Sequence, residues 1–327
     1  MSAKSGEPII DVVIPVKNGL PEIQECIQGL LAQSLAPRRI IAIDSGSNDG
    51  TCEYLRTVPT VDIIRIDSSQ FNHGLTRNIG WKHSDADLIF YTVQDAKAHS
   101  SQLLCQMADG FSDSTVWGVC GSQIVCRNEY SNPMLWHRPI DLPIDQRYQL
   151  TASHDFDACT PTEKQQMCGW DNVVAMYRRT ALQEAPFRDV SFGEDMLWAS
   201  DALRKGATLL YRPSATVCHH HLEDRKQMMR RLLSTLYFRH LHFGYLETIK
   251  PLTWKGYLRL LRHVALNRQV PFNRRWYWFT YNIQREKAAF EAWELFRKSI
   301  LIGGNAMESL YKEWVAMPPI PLKRKQW

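Results

Sequence analysis

Four short runs rich in β-branched and apolar residues punctuate the N-terminal region: Ile9–Val16 (IIDVVIPV), Arg39–Asp44 (RIIAID), Val61–Asp67 (VDIIRID) and Ala86–Val93 (ADLIFYTV). Segments with helical periodicity separate them. In Pro21–Ser34 the apolar residues Ile23, Ile27, Leu30 and Leu31 recur at helical spacing, and Pro21 suits a first turn. SNDGTCEYLRT opens the next helix, with Asn48 or Asp49 as a cap. Such a βαβαβαβ series predicts an α/β fold, a mostly parallel sheet flanked by helices. Ligands of these sheets bind outside the carboxyl ends of the strands, so Lys17 and Asn18, Asp44 to Ser47, and Gln94 to Ala96 are expected at one rim.

The rim lacks the usual phosphate cradles. The first turn, PVKNGLPE, is not GxGxxG, and GxxxxGK[ST] occurs nowhere in the chain. Instead a carboxylate, Asp95, ends the fourth apolar run. Burying it is costly unless a positive group pairs with it, which points to a metal ion and a diphosphate.

With 327 residues, 44% apolar and 22% charged, the composition is that of a globular chain. The eight cysteines show no CxxC spacing and no charged-then-apolar leader precedes the first strand, so reduced thiols and a cytosolic location are expected. No run approaches the roughly 18 to 20 apolar residues of a spanning helix. The net charge of +5 conceals an asymmetry: residues 1–221 carry 19 Lys/Arg against 26 Asp/Glu, and residues 222–327 carry 20 against 8. The two parts are expected to do different jobs.

Five motifs follow one another in order: VVIPVKNG, AIDSGSNDGT, FNHGLTRNIG, VQDA and FGEDMLW. Together they resemble family 2 glycosyltransferases of the GT-A fold, and especially the bacterial rhamnosyltransferase branch, from about Ile9 to about Gly244. The resemblance implies a GT-A-like catalytic domain over residues 1–221 and a basic, Trp-rich helical region over 222–327. It places a nucleoside diphosphate sugar, with dTDP-L-rhamnose the branch's donor, against Pro15, Val16, Asn18, Asp44, Gly74, Arg77, Asn78, Gln94 and Asp95. Asp44 would contact base or ribose; capping of the next turn through Ser47 or Asn48 is the plain alternative. Arg77 offers planar donors for phosphate or base edges, and Gly74 an unusual backbone angle or a close approach; a plain surface turn is the other reading of this motif.

Glycosyl transfer from such a donor needs the departing diphosphate neutralised, commonly by Mg²⁺ or Mn²⁺. Where the family usually shows Asp-x-Asp, this chain reads Gln94-Asp95-Ala96-Lys97, with one carboxylate. His219 and His221 in ATVCHHHLE share a face of an extended segment and are candidate further ligands; a polar strand end is the plain alternative. Glu194 and Asp195 match the family's Glu-Asp pair, which implies Asp195 as the general base of an inverting displacement and Glu194 as its orienting or acceptor-binding neighbour. Acidic residues at a helix start are also favoured by the dipole alone. Trp170, Asp171 and Asn172 could form an acceptor platform, with Trp170 equally suited to a core.

Residues Asn128–Lys164, with four prolines (Pro133, Pro139, Pro143, Pro161), read as a long loop of the lid or acceptor-specific kind. The tail segments RRLLSTLYFRHLHFG and TWKGYLRLLRHVAL read as amphipathic helices, and NRRWYWFTYN interleaves arginine with aromatics. They suit docking on an anionic inner-membrane surface from the cytoplasmic side, or packing on the catalytic domain or a second copy of the chain; nucleic acid is not expected as a partner. The closing PPIPLKRKQW reads as a loose basic tail. The expected function is transfer of a sugar to a saccharide or lipid-linked saccharide in surface polysaccharide (O-antigen) synthesis. A non-catalytic scaffold of the same fold is the alternative.

Overall fold

The computed structural model describes residues 7–126, 132, 144–150, 155–268 and 270–316. Most of the segment read as a long loop, and the closing tail, lie outside them; the described part of that segment holds β7 (Gln146–Tyr148) and the start of α5 (Pro161–Met167). The chain divides into two compact units, one of Met1–Ile124 and Arg138–His219, the other of Val125–His137 and His220–Trp327.

The first unit opens with the expected alternation: β1 (Ile10–Val16), α1 (Glu22–Leu31), β2 (Arg39–Asp44), α2 (Thr51–Arg56), β3 (Val61–Arg65), α3 (His73–Lys82) and β4 (Leu88–Thr92). After these come β5 (Lys97–Ala98), α4 (Leu103–Asp109), β6 (Val116–Ile124), β7, α5, β8 (Val174–Arg178), α6 (Arg179–Glu184), α7 (Glu194–Arg204) and β9 (Thr208–Cys218). The sheet order is β3-β2-β1-β4-β8-β6-β9-β5, with β7 paired to β9. Strands β1 to β4 run parallel, whereas β8 is antiparallel to both β4 and β6. The sheet is therefore mixed beyond β4. A buried strand reads as the same continuous apolar run in either direction, so the sequence pattern could not show the reversal.

One strand carries a charge through the core. Asp11, fully buried in β1, receives Arg38 Nη2 at 2.7 Å, Arg39 Nε at 3.1 Å and Ser84 Oγ at 2.5 Å. Burial pushes this carboxyl up, but the two guanidiniums and the hydroxyl outweigh it and hold Asp11 below its ordinary value. Helix α3 lies directly on β1, since a Cβ at Gly80 would sit 2.3 Å from Val13 Cγ1. This contact fixes where the FNHG segment enters the rim.

Six cysteines (Cys26, Cys52, Cys105, Cys120, Cys159, Cys168) are free; Cys126 and Cys218 are disulfide-bonded, which departs from the expectation of reduced thiols throughout.

The second unit is helical: α8 (Arg225–Phe243), α9 (Trp254–Leu266), α10 (Arg275–Ile302) and α11 (Gly304–Leu310). Asp224 and Gln227 form a capping box at the start of α8, and Gly244 at φ 66° ends it. Two small cores hold the unit: Met228, Val264, Val270, Trp278 and Tyr281 in one, Leu233, Leu236, Ala292 and Phe296 in the other. Among the described residues no helix is long and apolar enough to cross a membrane.

Asp11→Ala would leave the partly exposed Arg38 and Arg39 without their shared partner and is expected to cost about 1–3 kcal/mol, read by urea denaturation at neutral pH. Because the folded-state pKa is depressed, the stability Asp11 confers is present above its unfolded value and lost as pH falls through the folded value. Wild type should converge on the variant in acid.

Candidate active site

The ends of β1, β2 and β4 bring three loops together, and side chains stitch them. Gln94 Oε1 accepts from the Lys17 N–H at 2.8 Å while its Nε2 donates to the Lys17 carbonyl at 3.1 Å. The Asn18 N–H donates to Ser47 Oγ at 2.8 Å, and Asn18 Oδ1 accepts from the Asn48 N–H at 2.9 Å. Asn18 takes φ 49°, a left-handed conformation that Asn tolerates. Asp44 accepts from the Ser47 N–H at 3.1 Å and so caps its own turn. Val16 is buried, Pro15 half-buried beside it, and Lys17 and Asn18 are exposed. The residues expected at one rim do meet there.

The FNHG segment does something other than expected. Asn72 caps α3 by accepting from the Gly74 and Leu75 N–H groups, and at Gly74 a Cβ would lie 2.0 Å from the Arg188 carbonyl oxygen. Close approach, not backbone angle, is the reason for glycine here. Arg77 was expected on phosphate or a base edge, but it is buried and its Nη1 pairs with Glu194 Oε1 at 2.9 Å. Asn78 was expected on the nucleotide too; its amide is consumed by the Phe187 carbonyl, the Phe187 N–H and Trp81 Nε1. Arg77 ties α3 to the start of α7, and Asn78 ties it to the chain before α7. An Arg or Asn in a loop motif reads the same whether it faces ligand or interior.

Helix α7 begins at Gly193, φ 77°, and presents the acidic pair. Burial would push Glu194 up, but the Arg77 guanidinium, then His73 and a hydrogen bond from Asn172 Nδ2 at 3.1 Å, hold it below its ordinary value. Asp195 moves the other way. Burial raises its pKa well above the usual carboxylate range, and the negative charges of Glu194 and Asp171 push in the same direction. Asp195 still accepts from the Met196 N–H at 2.8 Å and the Asn172 N–H at 3.2 Å, which orients the carboxylate.

The expected acceptor platform divides. Trp170 is core: buried, its Nε1 donates to Tyr177 Oη at 2.8 Å and its ring lies 5.7 Å from that of Trp198. Asn172 is also internal, spending its amide on Glu194 and on the Tyr177 hydroxyl, which donates to its Oδ1. Asp171 alone of the three stays partly exposed.

Asp95 and His219 come together, with Asp95 Oδ1 3.4 Å from His219 Nε2. Between His219 and Asp171 stands Gln123, a residue that no sequence pattern singles out. Its Nε2 donates to Asp171 Oδ2, so its Oε1 faces His219 Nδ1 at 2.7 Å and must accept from it. His219 Nδ1 donates to Gln123, and this aims Nε2 at Asp95 Oδ1. A carboxylate oxygen and an imidazole nitrogen brought this close are ligand types that suit a divalent ion such as Mn²⁺. His221, two residues on, belongs to the second unit.

A family model, glycosyl transferase family 2, matches residues 11–184, more than half of the chain. The chain belongs to that family. It is a glycosyltransferase resembling rhamnosyltransferases: it is 28% identical over 231 residues to the O-antigen chain rhamnosyltransferase RfbN of Salmonella typhimurium LT2, covering 69% of this chain and 71% of the relative. It is 28% identical over 233 residues to the O-antigen chain rhamnosyltransferase WbaN of Salmonella anatum, covering 70% and 71%. Two solved structures share the fold. The mannosyltransferase PcManGT from Pyrobaculum calidifontis, in complex with GDP-Man and Mn²⁺, superposes with TM-score 0.52 at 16% identity, over 94% of this glycosyltransferase and 80% of that chain. Residues 1–349 of S. aureus TarS in complex with UDP-GlcNAc give 0.50 at 11%, over 89% and 92%.

If Arg77 is internal, Arg77→Met strands the Glu194 charge and should lower the unfolding free energy by about 3–5 kcal/mol. A rim arginine serving only phosphate would weaken nucleotide binding and leave the denaturation midpoint unchanged.

Proposed function

We propose that this glycosyltransferase is an inverting, metal-dependent rhamnosyltransferase, moving L-rhamnose from a nucleoside diphosphate donor, dTDP-L-rhamnose, to a saccharide or lipid-linked saccharide in O-antigen-type polysaccharide synthesis. The names of its relatives RfbN and WbaN support the sugar and the pathway class. The observation that carries the mechanism is the carboxylate of Asp195, oriented by the Met196 and Asn172 N–H groups, whose raised pKa makes it a stronger base than an ordinary carboxylate.

In this reading the donor lies along the rim, with Pro15, Val16 and Asn18 beneath it, Asp44 near the base or ribose, and Gln94 holding the Lys17 turn. Asp195 takes the proton from an acceptor hydroxyl as its oxygen attacks the anomeric carbon. The new C–O bond forms as the bond to the diphosphate breaks, the electron pair leaves with the diphosphate, and configuration inverts. Asp95 and His219 would hold a divalent metal, which when bound neutralises the diphosphate. Glu194 keeps its charge on Arg77 and orients α7 rather than taking the proton. Of the expected platform, the partly exposed Asp171 would meet the acceptor.

Calorimetric titration with a panel of nucleoside diphosphates and their sugars, with and without Mn²⁺, tests the reading on wild type, Asp95→Ala and Asp195→Asn. One nucleotide should bind with a metal dependence that Asp95→Ala removes. Asp195→Asn should still bind it, while transfer falls roughly 10²-fold to 10⁴-fold. Absence of binding to every member of the panel would sink the nucleotide-sugar reading.

A further inference from the structure

Between Glu247 and Glu286 the chain contains no acidic residue and eight basic ones: Lys250, Lys255, Arg259, Arg262, Arg268, Arg274, Arg275 and Arg285. Helix α9 lies within this stretch. It is anchored through Gly256, Leu260 and Val264, which are buried, while Trp254 (67% exposed), Leu258 (55%) and Leu261 (46%) stand in solvent. At 3.6 residues per turn these three fall within about 60° of one another around the axis, on a side away from the anchor. Lys255, Arg259 and Arg262, also exposed, form the neighbouring stripe, again within about 60°. Phe272 and Trp276 add two further exposed aromatics in the same acid-free stretch.

A helix with one buried face needs no second apolar stripe for its own packing, and three exposed large apolar side chains in a row expose area that water disfavours. An apolar stripe headed by an indole and edged by cations matches the boundary between acyl chains and anionic headgroups, where tryptophan and snorkelling lysine or arginine are favoured. A second copy of the chain would bring the same cations against themselves, which works against self-association through this face. We propose that the Trp254-Leu258-Leu261 face of α9, with Lys255, Arg259 and Arg262, seats the protein on an anionic lipid bilayer surface, α9 lying in the plane of the interface. The face would hold the enzyme where a lipid-linked acceptor resides. In that purpose it rests on the proposed acceptor, but its test contains no sugar and can fail independently.

The full chain is sedimented with vesicles of phosphatidylcholine alone and of phosphatidylcholine with phosphatidylglycerol, at low and high salt. Binding is expected with the anionic vesicles only, and weaker at high salt. The triple variant Trp254→Ser, Leu258→Ser, Leu261→Ser, and separately Lys255→Glu, Arg259→Glu, Arg262→Glu, should each lower the partition coefficient by at least about tenfold. Circular dichroism and nucleotide binding should be unchanged, since these side chains point to solvent. Equal binding to both vesicle types, binding indifferent to both triple variants, or no binding by the wild-type chain would overturn the proposal. So would wild-type self-association, or capture of a single-stranded oligonucleotide, that the serine variants abolish.

Discussion

The buried pair of Arg77 and Glu194 organises the catalytic unit. Two charges out of water are tolerable only when each is matched, and here the match links two elements distant in sequence, the second turn of α3 and the first turn of α7. Gly74 lets those turns approach and Asn78 locks the Phe187 backbone between them. With Glu194 committed to Arg77, the next residue, Asp195, sits beside a fixed negative charge. Burial raises the proton affinity of Asp195, and the Glu194 charge raises it further.

A second chain of polar contacts runs on the other side of Asp195. Asp171 receives Gln123, Gln123 receives His219, and His219 faces Asp95. The two proposed working groups, a base and a metal-holding pair, are therefore oriented through neighbours rather than standing alone. Such outer contacts fix which imidazole nitrogen is turned towards the metal position. The rim loops are also held by side chains bonding to backbone, Gln94 to Lys17 and Asn18 to Asn48, which keeps a loop-built site rigid without longer strands.

Much of this architecture was legible from sequence because hydrophobic period is a local property. β1 through β4 and the helices between them, including Pro21 before α1, fall where the apolar spacing puts them. The reversal at β8 was not legible, since direction depends on which neighbour a strand finds and not on its own residues. The same limit applies to side chains. Motif order located the FNHG and FGEDMLW segments, but nothing in the letters distinguishes an arginine reaching for phosphate from Arg77 buried against Glu194, or a sugar-stacking indole from Trp170 packed on Trp198. Gln123 escaped notice because a lone amide on a strand carries no pattern; only the partners on either side give it a role.

The account's central claim is that Asp195 is the base and that its neighbours' charges tune it. The pH dependence of kcat/KM for wild type and Glu194→Gln tests it most directly. The base must be deprotonated to act, and Glu194 raises its pKa, so removing that charge should move the acidic limb to lower pH while the glutamine amide still bonds Arg77 and Asn172. A Glu194→Gln enzyme that folds and binds nucleotide, yet keeps the wild-type limb, would contradict the assignment of Asp195 as the tuned base.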